Sequence, residues 1–182
     1  NSIGGLHTKN DFKNSRAEWL KPISQNYRNI KIHECPPNGQ GIVALIILGI
    51  LEHFNVKSMS KNDYIHLFCE AAKIGYFLRD QYLADTHYNK LSVTSFLSKK
   101  LLEHYASKID FKRAKVYDKS LFPDHPDTIY LTVRDKNGMT ISFINSLFDP
   151  FGSGITAPRS GILFHCRGRG FNLIEGHPNE LY

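Results

Sequence analysis

A short, uninterrupted run of apolar residues, from Ile42 to Leu51, constrains the fold of this chain more than any other feature. A helix that crosses a bilayer needs about 18 or more such residues, so this run is too short to span a membrane. A helix that is apolar on all sides must be buried on all sides. We therefore predict a helix over about Gln40–Phe54 at the centre of a globular core.

Helical patterns dominate residues 1–109. Ser60–Asp63 has the form of a capping box, and the apolar residues that follow it lie three or four positions apart, which predicts an amphipathic helix. Ser92 is placed to cap a further helix. Three other elements are predicted: a helix over Thr8–Asn14 with Thr8 as its N-cap, and strands over Trp19–Ile23 and Ile30–Cys35 that flank a turn at Gln25–Asn26.

The pattern changes after residue 109. Periodicity fades from Asp110 to Asp127, so we interpret this stretch as a linker. Thr128–Arg134 is rich in β-branched residues and predicts a strand. Asn137–Gly138 is the strongest short hairpin signal, and it predicts a return strand over Met139–Ile144. The chain thus divides into a mostly helical part (1–109), a linker (110–127) and a β-rich part (128–182).

Composition narrows the class of protein. The net charge of +6 comes without a dense basic stripe, which favours a mildly basic surface over nucleic-acid binding. The three cysteines are odd in number and widely spaced, so we predict reduced, partly buried thiols rather than a disulfide framework or a zinc site. Because the sequence starts at Asn1 and stops just after a turn signal, we expect an internal fragment of a longer protein.

Three stretches together resemble the γ-glutamyltransferase (glutathione hydrolase) family of N-terminal-nucleophile hydrolases. They are Glu34–Gly41, Glu70–Lys73 continuing to Arg79–Asp85, and Asp127–Val133 continuing through Asn137–Gly138 to Phe151–Gly154. The resemblance implies an α+β fold, the αββα sandwich of these hydrolases, incomplete in this fragment. Residues 1–109 would then be the end of a large subunit, and residues 128–182 the beginning of a small one.

In that family the precursor cuts itself, and the new N-terminal threonine is the nucleophile. The resemblance implies a cut between Asp127 and Thr128, with Thr128 as nucleophile and Ser146 as the second hydroxyl that supports it. A hydroxyl needs a base to take its proton, and a free α-amino group, with a pKa of about 7.7–8.0, suits that task near neutral pH. Without the resemblance, Thr128 also fits a simple strand opener and Ser146 a solvated strand-end serine.

The resemblance also implies the substrate and the partners: a γ-glutamyl or glutaryl amide, the two subunits of one precursor, and neither metal nor organic cofactor. No nucleic acid and no membrane span are expected. The family's α-carboxylate-binding arginine and its oxyanion-hole residues would lie outside this chain. Losing a single oxyanion donor typically costs about a hundred- to a thousandfold in rate, so we expect these 182 residues alone to be inactive.

Several positions depart from the transpeptidase pattern. Tyr130 stands where a histidine is usual, Phe148 replaces an asparagine, and Gly170 replaces the aspartate that grips the substrate α-amino group. Arg167 replaces a neutral residue, and we predict that it binds a substrate carboxylate; the alternative is a basic surface loop. These changes resemble the cephalosporin-acylase-like branch. They also leave open a non-catalytic relative that serves as a scaffold.

Two further pairs have expected roles. Gly152 and Gly154 resemble the family's glycine loop, and backbone flexibility alone would explain them. Arg79 and Asp80 are expected to form an ion pair on a helix surface or between domains.

Overall fold

The computed structural model describes residues 4–88, 92–117 and 127–181. Helices fill the first part and antiparallel hairpins flank them, so the fold belongs to the α+β class. The elements in chain order are α1 (Lys9–Asn14), β1 (Ile23–Tyr27), β2 (Ile30–Glu34), α2 (Gly41–Leu51), α3 (Lys61–Tyr82), α4 (Val93–Phe96), α5 (Lys99–Ala106), β3 (Asp127–Arg134) and β4 (Thr140–Phe148), with single 3-10 turns at Val56–Ser58 and Arg167–Gly170.

Helix α2 forms the centre of the core, which confirms the prediction from its apolar run. It packs against α3 and α5, and two glycines allow the close approach. A Cβ at Gly75 of α3 would lie 3.1 Å from Val43 Cγ1, and one at Gly49 of α2 would lie 2.6 Å from Leu102 Cδ1 of α5. The buried side chains of this core are Ile42, Ile46, Ile50, Leu51, Leu67, Ala71, Ile74, Leu78, Leu83, Phe96, Leu102 and Ala106.

The predicted caps of two helices are confirmed. Thr8 and Asp11 form a reciprocal capping box at the start of α1. Ser60 Oγ accepts a hydrogen bond from the backbone N–H of Asp63 at the start of α3. Each cap satisfies an N–H group that would otherwise lack a partner at a helix N-terminus. The helix predicted after Ser92 is instead two short ones, α4 and α5, separated at Leu97–Ser98.

The first hairpin differs from the prediction. Strand β1 is Ile23–Tyr27 rather than Trp19–Ile23, and the turn lies at Arg28–Asn29 rather than Gln25–Asn26. Both turn residues have positive φ, at 51° and 66°. Glu52 at the end of α2 holds this turn by accepting a hydrogen bond of 3.0 Å from the Arg28 backbone N–H. A contact so distant in sequence explains why an arginine occupies a turn position that glycine usually takes.

The Arg79–Asp80 ion pair forms, but it is buried rather than on a helix surface. Arg79 Nε donates to Asp80 Oδ1 at 2.7 Å, and Arg79 Nη1 donates to Gln40 Oε1 at 3.0 Å, which links two of the family-like stretches. The Asp80 carbonyl oxygen lies 2.7 Å from His177 Nε2. His177 Nδ1 accepts from the Asn179 N–H, so Nε2 carries the proton and donates to Asp80.

Three smaller features complete the description of the fold. The cysteines are free, as expected, but Cys35 and Cys69 are exposed and only Cys166 is partly buried. Residues 118–126 of the predicted linker lie outside the described residues, whereas 110–117 contain turns without a helix or strand. In the described parts of the chain, no helix is long and apolar enough to cross a bilayer.

Candidate active site

The predicted β-hairpin is confirmed. Strand β3 pairs antiparallel with β4, and the connecting turn contains Asn137–Gly138. Asp135 organises this turn, because its Oδ1 accepts from the N–H groups of Asn137 at 2.9 Å and Met139 at 2.8 Å. Gly138 has a φ of 90°, which a residue with a side chain rarely adopts. This local chemistry fixes the register of the strands that carry Thr128 and Ser146.

The register is irregular at Thr128. Asp127 pairs with Phe148, but Ile129 pairs with Asn145, so Ser146 and Leu147 of β4 both face the single residue Thr128. Such a β-bulge bends the strand and redirects a side chain, and bulges are common next to active sites. The peptide bond predicted to be cut, between Asp127 and Thr128, therefore lies directly at the bulge.

The structure brings the two predicted hydroxyls together. Thr128 Oγ1 donates to Ser146 Oγ across the hairpin at 2.9 Å. Ser146 Oγ also accepts from the backbone N–H of Phe148 at 2.9 Å. Thr128 is exposed and Ser146 is partly buried. The serine oxygen is thus fixed by the main chain of β4 and in turn orients the threonine hydroxyl.

Phe148 closes this end of the hairpin. Its side chain is 4% exposed, and its φ of 82° is unusual for a residue other than glycine. The guanidinium carbon of Arg167 lies 5.5 Å from the centre of the Phe148 ring, within the range of a cation–π contact. Replacing the family's asparagine with phenylalanine therefore removes an amide and supplies a support for Arg167.

Arg167 contacts the backbone of Ser146, and its role in binding a substrate carboxylate stays a prediction. Its Nη2 donates to the Ser146 carbonyl oxygen at 3.3 Å, and the side chain is exposed. Among the side chains that the structure describes, no carboxylate pairs with it. The arrangement holds an exposed cation against the Ser146 carbonyl oxygen and the Phe148 ring.

Sequence reasoning missed how Arg167 is distinguished from Arg169. Asp149, immediately after Phe148, forms an ion pair with Arg169. The same carboxylate lies 3.4 Å from the Sγ atom of Cys166, which donates to it. Asp149 therefore neutralises Arg169 and leaves the charge of Arg167. No sequence motif indicates that Asp149 pairs with Arg169 rather than with Arg167, because this pairing depends on the path of the loop from β4 to Cys166.

The hydrogen bonds of the Tyr130 hydroxyl are to residues other than Thr128. Its phenolic oxygen accepts from Thr132 Oγ1 at 2.9 Å and from Ser142 Oγ at 3.1 Å. The Ser142 and Thr132 hydroxyls lower the pKa of Tyr130 below its usual value, because they stabilise the phenolate. The residue at the family's histidine position thus belongs to a separate hydroxyl cluster further along the hairpin.

Backbone flexibility alone does not explain both glycines of the loop, Gly152 and Gly154. Both Gly152 and Gly154 have positive φ, at 53° and 70°. A Cβ at Gly152 would also collide with the carbonyl oxygen of Phe164, whereas open space surrounds Gly154. Gly152 is therefore required for close approach of two backbone segments, and the expectation for that residue is wrong.

The described residues contain no group of three or more His, Cys, Asp or Glu side chains that could hold a metal ion. Among the described groups at this end of the hairpin are the two bonded hydroxyls, the backbone bulge and the Arg167 cation.

Comparison with known proteins identifies the family. The profile of the gamma-glutamyltranspeptidase family matches residues 1–181. The chain is 35% identical over 180 residues to the glutathione hydrolase-like YwrD proenzyme of Bacillus subtilis, covering 98% of this chain and 34% of that protein. It is 30% identical over 176 residues to the oxamate amidohydrolase proenzyme of Klebsiella pneumoniae, covering 97% and 33%.

Comparison with solved structures also supports this family. Cephalosporin acylase from Bacillus halodurans superposes with a TM-score of 0.85 at 34% identity, and the match covers 100% of this chain and 33% of the acylase. The chain thus spans about a third of the length of these relatives. The chain belongs to the gamma-glutamyltranspeptidase family, and within it to the branch that resembles cephalosporin acylase.

Proposed function

We propose that this chain carries the nucleophile of a self-processing amide hydrolase or acyltransferase, and that Thr128 is that nucleophile. The observation that carries the proposal is the 2.9 Å hydrogen bond from Thr128 Oγ1 to Ser146 Oγ at the β-bulge. In the whole protein the hairpin would belong to the αββα sandwich of N-terminal-nucleophile hydrolases. Residues 1–109 would end the large subunit, and residues 128–182 would begin the small one.

Processing would occur at the bulge. The Thr128 hydroxyl attacks the carbonyl carbon of Asp127, the bond from that carbon to the Thr128 nitrogen breaks, and the nitrogen takes up a proton. The product is an ester between Asp127 and the Thr128 oxygen. Water hydrolyses the ester, which frees the Asp127 carboxylate and restores the Thr128 hydroxyl. Ser146 holds the attacking oxygen through the bond already described.

The freed α-amino group of Thr128 then acts as the base for the acyl-transfer reaction. It accepts the hydroxyl proton as the oxygen attacks a substrate amide, and it returns that proton to the leaving amine. The resulting acyl ester passes to water or to an amino acid. Neither a metal nor an organic cofactor takes part.

The cation at Arg167 supports an acyl group with a terminal carboxylate. A bidentate arginine–carboxylate pair is among the stronger hydrogen-bonded contacts in proteins, and the described side chains leave the Arg167 charge unpaired. Both γ-glutamyl and glutaryl amides carry such a carboxylate. Gly170 lacks the carboxylate that would hold an α-amino group, and Phe148 lacks the amide found at its position in the transpeptidases. These two departures favour a glutaryl-type amide as the alternative substrate.

Intact mass and N-terminal sequencing of the purified full-length protein test the proposal. We expect two fragments, the smaller beginning at Thr128, and a single uncut, inactive chain for Thr128→Ala. Thr132→Ala is the matched control, because Thr132 shares the strand and bonds Tyr130 rather than Ser146. A Thr128→Ala protein that still separates into two subunits would refute the assignment. A wild-type chain that stays whole would favour a non-catalytic relative.

A further inference from the structure

Two contacts with described residues orient the exposed side chain of Arg167. Its Nη2 atom donates to the carbonyl oxygen of Ser146 at 3.3 Å. Its guanidinium carbon lies over the ring of Phe148, 5.5 Å from the ring centre. A single hydrogen bond at one end of a planar group leaves that group free to turn about the bond. The contact with the Phe148 ring therefore limits the rotation of the guanidinium group.

Other contacts hold the main chain at Arg167. The backbone N–H of Cys166 donates to the carbonyl oxygen of Leu147 at 3.0 Å, and the backbone N–H of Arg167 donates to His165 Nδ1 at 3.1 Å. These bonds fix the point at which the arginine side chain begins. They do not fix the direction of its charged end, because several rotatable bonds separate the Cα atom from the guanidinium group. Phe148 therefore acts on the direction of the cation and not on the position of its backbone.

Phe148 suits this task because its own position is fixed. The residue is 4% exposed, and its backbone N–H donates to Ser146 Oγ at 2.9 Å. The face of an aromatic ring attracts a cation, and an arginine over a ring can still donate its N–H groups to a carboxylate. A side chain that is already oriented loses less conformational entropy when it binds a ligand. The Phe148 ring thus prepares Arg167 to bind a carboxylate.

We propose that Phe148 is a positioning residue that makes the site selective for acyl donors with a terminal carboxylate, and this inference rests on the proposed function. The ring contacts Arg167 directly, and Arg167 binds the carboxylate of the acyl group. The asparagine usual at this position in the transpeptidases has no aromatic face to offer. Phe148 and Arg167 therefore form one device, in which the ring contributes only through the cation.

A double-mutant cycle on the purified, self-processed full-length protein tests this dependence. The acyl donors are glutaryl-p-nitroanilide and γ-glutamyl-p-nitroanilide, each of which carries a terminal carboxylate. The measured quantity is kcat/KM for the better donor in wild type, Phe148→Leu, Arg167→Met and the double variant. Phe148→Met is a second variant without the ring, in case the leucine variant does not fold. Phe151→Leu is the matched control, because Phe151 also has a positive φ, at 60°, but is 79% exposed.

A cation–π contact at an exposed site contributes about two- to fivefold in binding. We expect Phe148→Leu to lower kcat/KM by about that factor when Arg167 is present. In the Arg167→Met background the same change should lower it by less than about 1.5-fold, because the ring then has no cation to orient. The control Phe151→Leu should also change kcat/KM by less than about 1.5-fold.

The outcomes separate this inference from the proposed function. An equal factor in both backgrounds overturns the inference, because Phe148 then acts independently of Arg167. A loss caused by Arg167→Met but not by Phe148→Leu also overturns the inference alone. If Arg167→Met leaves kcat/KM unchanged, carboxylate binding by Arg167 fails and the inference fails with it. A wild-type precursor that stays uncut, or a cut enzyme that hydrolyses neither donor, overturns the proposed function as well.

Discussion

Replacing Ser146 with alanine tests the geometry of the proposed site most directly. The substitution removes one oxygen that accepts two hydrogen bonds of 2.9 Å, from Thr128 Oγ1 and from the Phe148 N–H. The Cα trace of the hairpin should persist, because alanine is compatible with the strand and the ladder bonds are made by the backbone. The substitution should therefore change the orientation of the Thr128 hydroxyl rather than the fold of the hairpin.

The magnitude follows from those two bonds. An intramolecular hydrogen bond contributes about 0.5–1.5 kcal/mol net. The loss of the Thr128 contact, with some relaxation where Phe148 loses its acceptor, should raise the barrier to self-cleavage by about 1–2 kcal/mol. That corresponds to roughly a five- to thirtyfold slower reaction. Because Ser146 is only partly buried, water can replace part of the lost bonding, and the free energy of unfolding should fall by about 1 kcal/mol or less.

The assay is the conversion of purified full-length precursor to two subunits over time, followed by gel electrophoresis and intact mass. Ser142→Ala is the matched control: it lies on the same strand and bonds Tyr130 instead of Thr128. Ser146→Thr keeps the oxygen and should restore most of the rate. If Ser146→Ala converts within twofold of wild type, or if Ser142→Ala is equally slow, the hydroxyl pair does not orient the nucleophile and the reasoning fails.

Three other predictions follow from the geometry of the described residues. Arg167→Met should lower kcat/KM about tenfold for an acyl donor with a terminal carboxylate and leave a neutral donor unchanged, because it removes one charge-assisted contact; an equal loss for both donors would contradict the assignment. Gly154→Ala should cost about 1–2 kcal/mol in unfolding free energy for its positive φ, and Gly152→Ala clearly more because it adds a backbone clash; equal costs would contradict this account. In an ultraviolet pH titration, Tyr130 should ionise at lower pH than Tyr117. Hydrogen bonds from Ser142 and Thr132 lower the pKa of Tyr130 below 10.0, whereas burial against Phe77 of α3 and the nearby charge of Glu70 raise the pKa of Tyr117 above it. The stability that neutral Tyr117 contributes should be present below pH 10 and lost as pH rises beyond it, and simultaneous titration of the two would refute the environments described.

Local chemistry made parts of this fold predictable. The burial of α2 follows from an apolar run that leaves no polar face, and the caps at Thr8 and Ser60 satisfy backbone N–H groups within their own helices. The second hairpin follows from Asn137–Gly138, whose conformational preferences act over four residues. In each case the interactions that decide the structure lie within one element.

Where contacts between residues far apart in the sequence determine the structure, the predictions from sequence were wrong or incomplete. The turn at Arg28–Asn29 is held by Glu52, which no local pattern reveals. The resemblance associated Ser146 with Thr128, and the two hydroxyls lie 2.9 Å apart. The β-bulge and the pairing of Asp149 with Arg169 could not be predicted, because both depend on tertiary packing. The glycines of the loop illustrate the same limit, since only the structure distinguishes Gly152 from Gly154.

The hydrogen bond from His177 to the carbonyl of Asp80 has a consequence for any chain cut at residue 127. It joins α3 to a segment beyond the cut. The rings of Phe12 and Phe164, whose centres lie 5.8 Å apart, likewise join α1 to that part of the chain. Once the peptide bond is gone, these contacts hold two separate polypeptides, and folding becomes an association that obeys mass action. Stability then depends on concentration: dilution should lower the melting temperature of the cut form and leave that of the uncut precursor unchanged.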